Sequence, residues 1–120
     1  MPQAGGLASA VVVGALFAIA AAPPSTPKLL ERGKVVYETE GGCAACHGVT
    51  GEGNGPVSFA LKPPPRNFTK DPFKGGDSVE QIFATITNGL PKTSMAGFPK
   101  ITEADRWALA HYVLTFRPRK

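Results

Sequence analysis

A chain of 120 residues holds one folded domain at most, and its first 27 residues are too apolar or too proline-rich to join that domain's core. About 93 residues remain, and a domain of that size buries only about 60% of its unfolded surface, so it needs a staple such as a disulfide, a metal or a cofactor. Thirteen Lys and Arg against nine Asp and Glu give +4, all of it at or after Lys28; without a dense basic run or a recognisable binding module, this charge excludes nucleic acid and suits acidic proteins or anionic lipid.

Gly5 to Ala22 is an uncharged stretch of eighteen residues that would extend about 27 Å as a helix, barely a membrane span. Two readings stay open. A cleavable secretory signal has this apolar stretch and a small-residue exit at Ala20-Ala21-Ala22. An uncleaved anchor is preferred, because the leading MPQAGG lacks Lys and Arg and Pro23-Pro24 would obstruct a signal peptidase. The expected organisation is a transmembrane anchor or signal segment over 1–22, a Pro-rich linker over 23–27 and a folded domain over 28–120.

Thr26 is placed to cap a helix that starts at Pro27 and runs to about Glu38, with Leu29, Leu30, Val36 and Tyr37 on one broad apolar face. Gly41-Gly42 ends it. From Gly48 to Gly76 the chain shows neither helical nor strand period, since glycines and the Pro63-Pro64-Pro65 run break every candidate. Val49, Val57, Phe59, Leu61, Phe68 and Phe73 recur through this stretch, as in a loop wrapped around something hydrophobic. Asp77-Ser78-Val79-Glu80 opens a second, short helix in which Val79, Ile82, Phe83 and Ile86 repeat at helical spacing up to Asn88-Gly89. A loop from Leu90 to Ile101 follows. Thr102-Glu103-Ala104-Asp105 then opens a third helix, with Leu109, Tyr112, Val113 and Phe116 in one stripe before Pro118. The fold class is all-α.

Both cysteines fall in Cys43-Ala44-Ala45-Cys46-His47, so no disulfide framework exists. Cys-x-x-Cys-His is the signature of c-type haem attachment: two thiols add to the porphyrin vinyl groups and the adjacent His binds iron. On a turn of helix this spacing brings two sulfurs to one edge of the ring and the next side chain under the metal. A thioredoxin-like dithiol needs a βαβ setting that is missing, and a zinc site would have to recruit the distant His111, off finger spacing. His111 itself is expected to be a surface or partly buried histidine. For the sixth iron position the chain offers Met95 as its one methionine besides Met1. It lies in an irregular loop between predicted helices, and its thioether would favour Fe(II), raise the potential and block small ligands.

The order of these elements resembles a class I cytochrome c over roughly Thr26 to Phe116: an N-terminal helix, Cys-x-x-Cys-His, a Gly-Pro, a later Met loop and a C-terminal helix. The resemblance implies a small cytochrome c fold of about three main helices around one covalent haem c; the expected N-terminal apolar helix before it is a departure from the simplest soluble members of the family. It implies that the first and last helices cross near Gly33 and Tyr37 on one side and Leu109 and Tyr112 on the other. It also implies that a Pro shortly after the haem motif, here Pro56, accepts a hydrogen bond from His47 through its carbonyl. The run Lys62-Pro63-Pro64-Pro65-Arg66-Asn67-Phe68 is similar to a stretch in small membrane-associated bacterial cytochromes. It reads either as a rigid surface loop or as a segment whose Arg66 or Asn67 donates to a haem propionate. Trp107 is a further indole donor, with a packing role preferred.

With His47 and Met95 both on the iron, no coordination position is left for a small-molecule substrate and no acid, base or nucleophile constellation accompanies the motif, so electron transfer is expected and enzymatic catalysis is not. Lys62, Lys92 and Lys100 flank the loops around the expected haem edge, as a docking surface or as a solvated face. The anchor and proline spacer suit a tethered subunit in a multi-subunit respiratory or photosynthetic membrane complex, such as alternative complex III or a terminal oxidase. The rivals are an exported soluble periplasmic shuttle and a ligand-sensing haem. Because the resemblance implies haem attachment on the outer face of the cytoplasmic membrane, the folded domain is expected on that periplasmic side.

Overall fold

A computed structural model describes residues 21–118. Among the described residues four α-helices follow one another, α1 (Pro27–Glu38), α2 (Cys43–His47), α3 (Val79–Asn88) and α4 (Glu103–Leu114), with a 3-10 turn at Ser58–Ala60. The expected all-α class holds: among the described residues the only β pairing is an isolated antiparallel bridge between Gly89 and Ala96. The apolar stretch read as an anchor lies outside the described residues except for Ala21 and Ala22, and no described helix is long and apolar enough to cross a membrane.

The three long helices start where their caps are. Thr26 Oγ1 accepts from Leu29 N–H at 3.1 Å, with Pro27 in the first turn where its missing N–H is no loss. Ser78 and Gln81 form a reciprocal capping box at the start of α3, at 3.1 and 3.2 Å. Thr102 Oγ1 accepts from Asp105 N–H at 3.2 Å and opens α4.

Helices α1 and α4 cross at Gly33, and the crossing needs glycine. A Cβ there would lie 2.3 Å from the Ala108 carbonyl oxygen and 2.7 Å from Tyr112 Cβ. The close approach lets Tyr37, fully buried, meet Tyr112 edge-on at 5.3 Å and Phe116 at 5.5 Å between ring centroids. At the exposed side of the crossing Arg32 grips Asp105 with two hydrogen bonds, Nε to Oδ1 at 2.9 Å and Nη2 to Oδ2 at 2.8 Å. Leu29 and Leu30, expected on the buried face of α1, are only half-buried, and Gly33, Val36 and Tyr37 carry the contact. Helix α4 buries more than the single stripe expected, because α3 packs on it as well as α1. Trp107, Ala108 and Ala110 are therefore buried alongside Leu109 and Val113. Trp107 stacks on Phe83 of α3 at 3.8 Å, which makes it a packing residue between helices.

The long middle segment divides in two. Phe68 and Phe73 stack on each other at 5.2 Å and join the core with Ile82, Ile86, Leu109 and Val113. Val49, Val57 and Phe59, expected to wrap something hydrophobic, point outward, with Phe59 86% exposed. Before α1, the Pro23 carbonyl lies 2.7 Å from His111 Nε2, so the partly buried histidine contacts the start of the proline spacer.

Candidate functional site

Helix α2 is a turn and a half long and cannot stand alone. Its supports come from elsewhere in the chain. Tyr37 reaches from α1 and donates its hydroxyl proton to the Gly48 carbonyl at 2.6 Å, inside the core. The loop that follows satisfies the helix's free C-terminal carbonyls one by one: Gly53 N–H donates to His47 at 2.8 Å, Gly55 N–H to Cys46 at 3.0 Å and Val57 N–H to Ala45 at 3.0 Å. Gly55 permits that approach, since a Cβ there would sit 2.3 Å from the Ala45 carbonyl oxygen.

The i, i+3 spacing of Cys43 and Cys46 places both on one face of α2, and neither is in a disulfide. Burial pushes the Cys43 thiol up to about 11. His47 Nδ1 lies 3.1 Å from the carbonyl oxygen of Arg66. A carbonyl only accepts, so Nδ1 carries the proton and donates, which leaves the Nε2 lone pair free for a metal. Burial holds the His47 pKa below its ordinary value, against a smaller opposing effect of this bond, and so favours the neutral ring. The Phe68 ring stacks on the imidazole at 4.2 Å and 20°, fixing its plane.

This corrects the expectation for Pro56. The loop around it is committed to α2 through the N–H groups of Gly55 and Val57, and Pro56 itself is exposed. The acceptor for His47 comes ten residues later, where the Pro63-Pro64-Pro65 run brings Arg66 to the ring. No side-chain signal marks a carbonyl acceptor, although that run had already stood out. Asn67 Oδ1 accepts from Thr69 N–H at 2.9 Å and from Thr69 Oγ1 at 2.6 Å, closing a local turn, and Asn67 lines neither of the two cavities described below.

Cys43, Cys46, His47, Arg66 and Met95 line one cavity of about 220 Å³, walled on one side by Leu61 and the three prolines. A second space of about 70 Å³ shares Cys43, His47, Arg66 and Met95 and reaches the core at Phe68, Leu109 and Val113. Met95 is brought there by a self-bonded loop. Leu90 N–H donates to the Met95 carbonyl at 3.2 Å, Met95 N–H donates to Thr93 Oγ1 at 3.2 Å, and Thr93 Oγ1 donates to the Leu90 carbonyl at 2.8 Å. The loop returns through Phe98 N–H on the Ile86 carbonyl at 2.8 Å, and Arg106 Nη1 fastens its end by donating to the Pro99 and Ile101 carbonyls at 3.0 and 2.8 Å.

The donor set fits a haem on structural grounds: two free thiols, an imidazole with its metal-binding nitrogen unprotonated, a thioether on the same cavity, apolar walls and a buried Arg66 Nε without a partner. The cytochrome c family model matches residues 30–117. The chain belongs to the cytochrome c family, as a class I c-type member, and that family carries covalently attached haem c. Among solved structures, a chain of the Kuenenia stuttgartiensis reducing HAO-like protein complex Kustc0457/Kustc0458 is 32% identical, with a TM-score of 0.76 over 83% of this chain and 49% of that one. This chain thus spans about half the length of that neighbour. No curated protein matches it. An electron-transfer protein of the c type is therefore the class that fold and site define.

Proposed function

We propose that this chain is a one-electron carrier in which His47 and Met95 would hold the iron of a covalent haem, working as a tethered subunit of a membrane redox complex on the outer face of the cytoplasmic membrane. The observation that carries the first part is the shared cavity: His47 and Met95 both line it, together with the two attachment cysteines. When bound, the haem supplies an Fe(III)/Fe(II) couple whose potential the surrounding protein tunes. The chain's own work is to hold it. Arg66 O fixes the His47 tautomer, Phe68 fixes the ring plane, and the loop bonds at Thr93 and Leu90 present Met95. No Asp or Glu lines either cavity among the described residues.

The same lack of carboxylates gives the cavity wall a basic character. Lys74 lines it, and the exposed Lys62 and Lys92 adjoin lining residues. This suits an acidic redox partner, with association that weakens as salt rises. Membership of a complex is supported by the apolar N-terminal stretch in the sequence and by the solved neighbour, which is itself a component of a protein complex. Extraction of native membranes with detergent tests both parts. The expected result is a red protein that titrates reversibly with one electron, keeps residues 1–22 by intact mass, and co-purifies with other redox subunits. A soluble protein whose mass begins after Ala22 would overturn the tether, and a haem that turns over substrate without reversible titration would overturn the carrier.

A further inference from the structure

Helix α4 ends at Leu114, and three residues later Arg117 turns back onto the segment that precedes α3. Its Nη2 donates to the Asp71 carbonyl and lies 3.8 Å from Asp77 Oδ1. Between those two anchor points the guanidinium stands over the Phe73 ring, 4.7 Å from its centre. Asp77 Oδ1 also accepts from Phe73 N–H at 3.0 Å. One side chain therefore closes the loop from Asp71 to Asp77 at both ends and covers the aromatic ring in its middle. The loop's own bonds are local, the Asp77 bond and Gly76 N–H on the Phe73 carbonyl at 3.1 Å. Among the described residues Arg117 supplies the long-range polar tie, from forty-six positions along the chain.

What lies under that ring sets Arg117 apart from the other arginine over an aromatic ring. Arg106 stands 5.3 Å from the centre of the Phe83 ring, and Phe83 lines neither cavity. Below Arg117 the stacking continues inward. Phe73 stacks on Phe68 at 5.2 Å and 26°, and Phe68 stacks on the His47 imidazole at 4.2 Å and 20°. Guanidinium, two phenyl rings and imidazole form one column from the surface to the cavity. The clasped loop is also a wall of that space, since Phe73, Lys74, Gly75 and Gly76 line the smaller cavity. The Arg66 carbonyl fixes one nitrogen of the imidazole, which leaves the ring free to rock about that bond unless its face is held. Phe68 holds the face, Phe73 backs Phe68, and Arg117 backs Phe73.

We infer that Arg117 is a positioning residue of the haem centre, capping the Phe73–Phe68 column so that the His47 ring plane and the loop wall of the cavity are held together. The inference rests on the haem reading above. It gives the end of the chain beyond α4 a role in the electronic state of the iron, because the orientation of an axial imidazole is set by the groups around it.

The test uses the full-length holoprotein with Arg117→Gln and Arg117→Lys. Amide hydrogen exchange of the reduced protein reads the clasp: in Arg117→Gln, Phe73 and Gly76 are expected to exchange about tenfold faster while Leu109 and Val113 keep their protection. Electron paramagnetic resonance of the ferric protein reads the column, since the g-values of low-spin iron follow the planes of its axial ligands. The largest g-value is expected to shift in Arg117→Gln and to return toward wild type in Arg117→Lys, which keeps the cation over Phe73. Unchanged exchange at Phe73 and Gly76, or a loosened loop with unmoved g-values, would overturn the inference. If the variants fail to mature, nuclear Overhauser contacts between the Arg117 side chain and the Phe73 ring in the reduced wild type decide instead: their presence supports the cap and their absence overturns it. A wild type without covalent haem would defeat the haem reading and this role together, whereas a haem-bearing Arg117→Gln with wild-type g-values defeats this role alone.

Discussion

Gly33→Ala adds one methyl group at the crossing of α1 and α4. The new Cβ would stand 2.3 Å from the Ala108 carbonyl oxygen, where ordinary contact begins at about 3.4 Å, and that neighbour is backbone, so no rotamer change relieves the clash. The helices must move apart. Overpacking of this kind costs about 3 kcal/mol at the upper end of its usual range, while Ala gains about 1 kcal/mol over Gly in helix propensity. The net is a loss of about 2 kcal/mol, which for a domain of this size lowers Tm by about 8–16 °C. Thermal unfolding of the ferric holoprotein, followed by far-UV circular dichroism, measures it. Glu31→Ala on the exposed face of the same helix is the control and should stay within about 0.5 kcal/mol of wild type. A Gly33→Ala protein as stable as wild type would refute the argument that the close crossing holds the fold together.

Tyr37→Phe removes only the buried hydroxyl that donates to the Gly48 carbonyl, and should cost about 0.5–1.5 kcal/mol in urea unfolding. Arg106→Gln removes both bonds that fasten the end of the Met95 loop, so the Phe98 and Ile101 amides should exchange hydrogen faster while α1 amides keep their protection; uniform exchange would count against a local clamp. Asp105 gives a pH test. Its hydrogen bond from Arg32 holds the carboxyl below its ordinary range, so the unfolded chain binds the proton more readily and the pair stabilises the fold above the ordinary carboxylate value of about 4. That contribution falls away as pH drops through the lower folded value, so the Tm difference between wild type and Asp105→Asn should be present at pH 7 and vanish in strong acid.

The helices were legible because their boundary signals are local. Thr26 before Pro27 and Thr102 each act within one turn and cap their helices as read, and the capping box read in Asp77-Ser78-Val79-Glu80 forms one residue later, between Ser78 and Gln81. The burial of α4 was legible only in part: periodicity finds one stripe, whereas a helix packed between two others also buries Trp107, Ala108 and Ala110. Cys43, Cys46 and His47 could be assigned from spacing, because their chemistry resides in side chains. The acceptor for His47 could not, because any residue has a carbonyl and only the path of the chain decides which one arrives. That path is set by bonds between distant segments, such as Phe68 N–H to the Gly51 carbonyl. Phe59 shows the opposite failure, an aromatic residue read as inward that the short 3-10 turn carries to the surface.

The most direct test of the account is the near-infrared spectrum of the ferric holoprotein beside that of Met95→Ala. Methionine sulfur on Fe(III) gives a charge-transfer band at the red edge. The account predicts this band in the wild type. In Met95→Ala it predicts that the band is lost while covalent haem remains, that the potential falls, and that the iron opens to carbon monoxide. A wild-type spectrum without the band, or a variant that keeps both band and potential, would contradict the placement of Met95 on the iron.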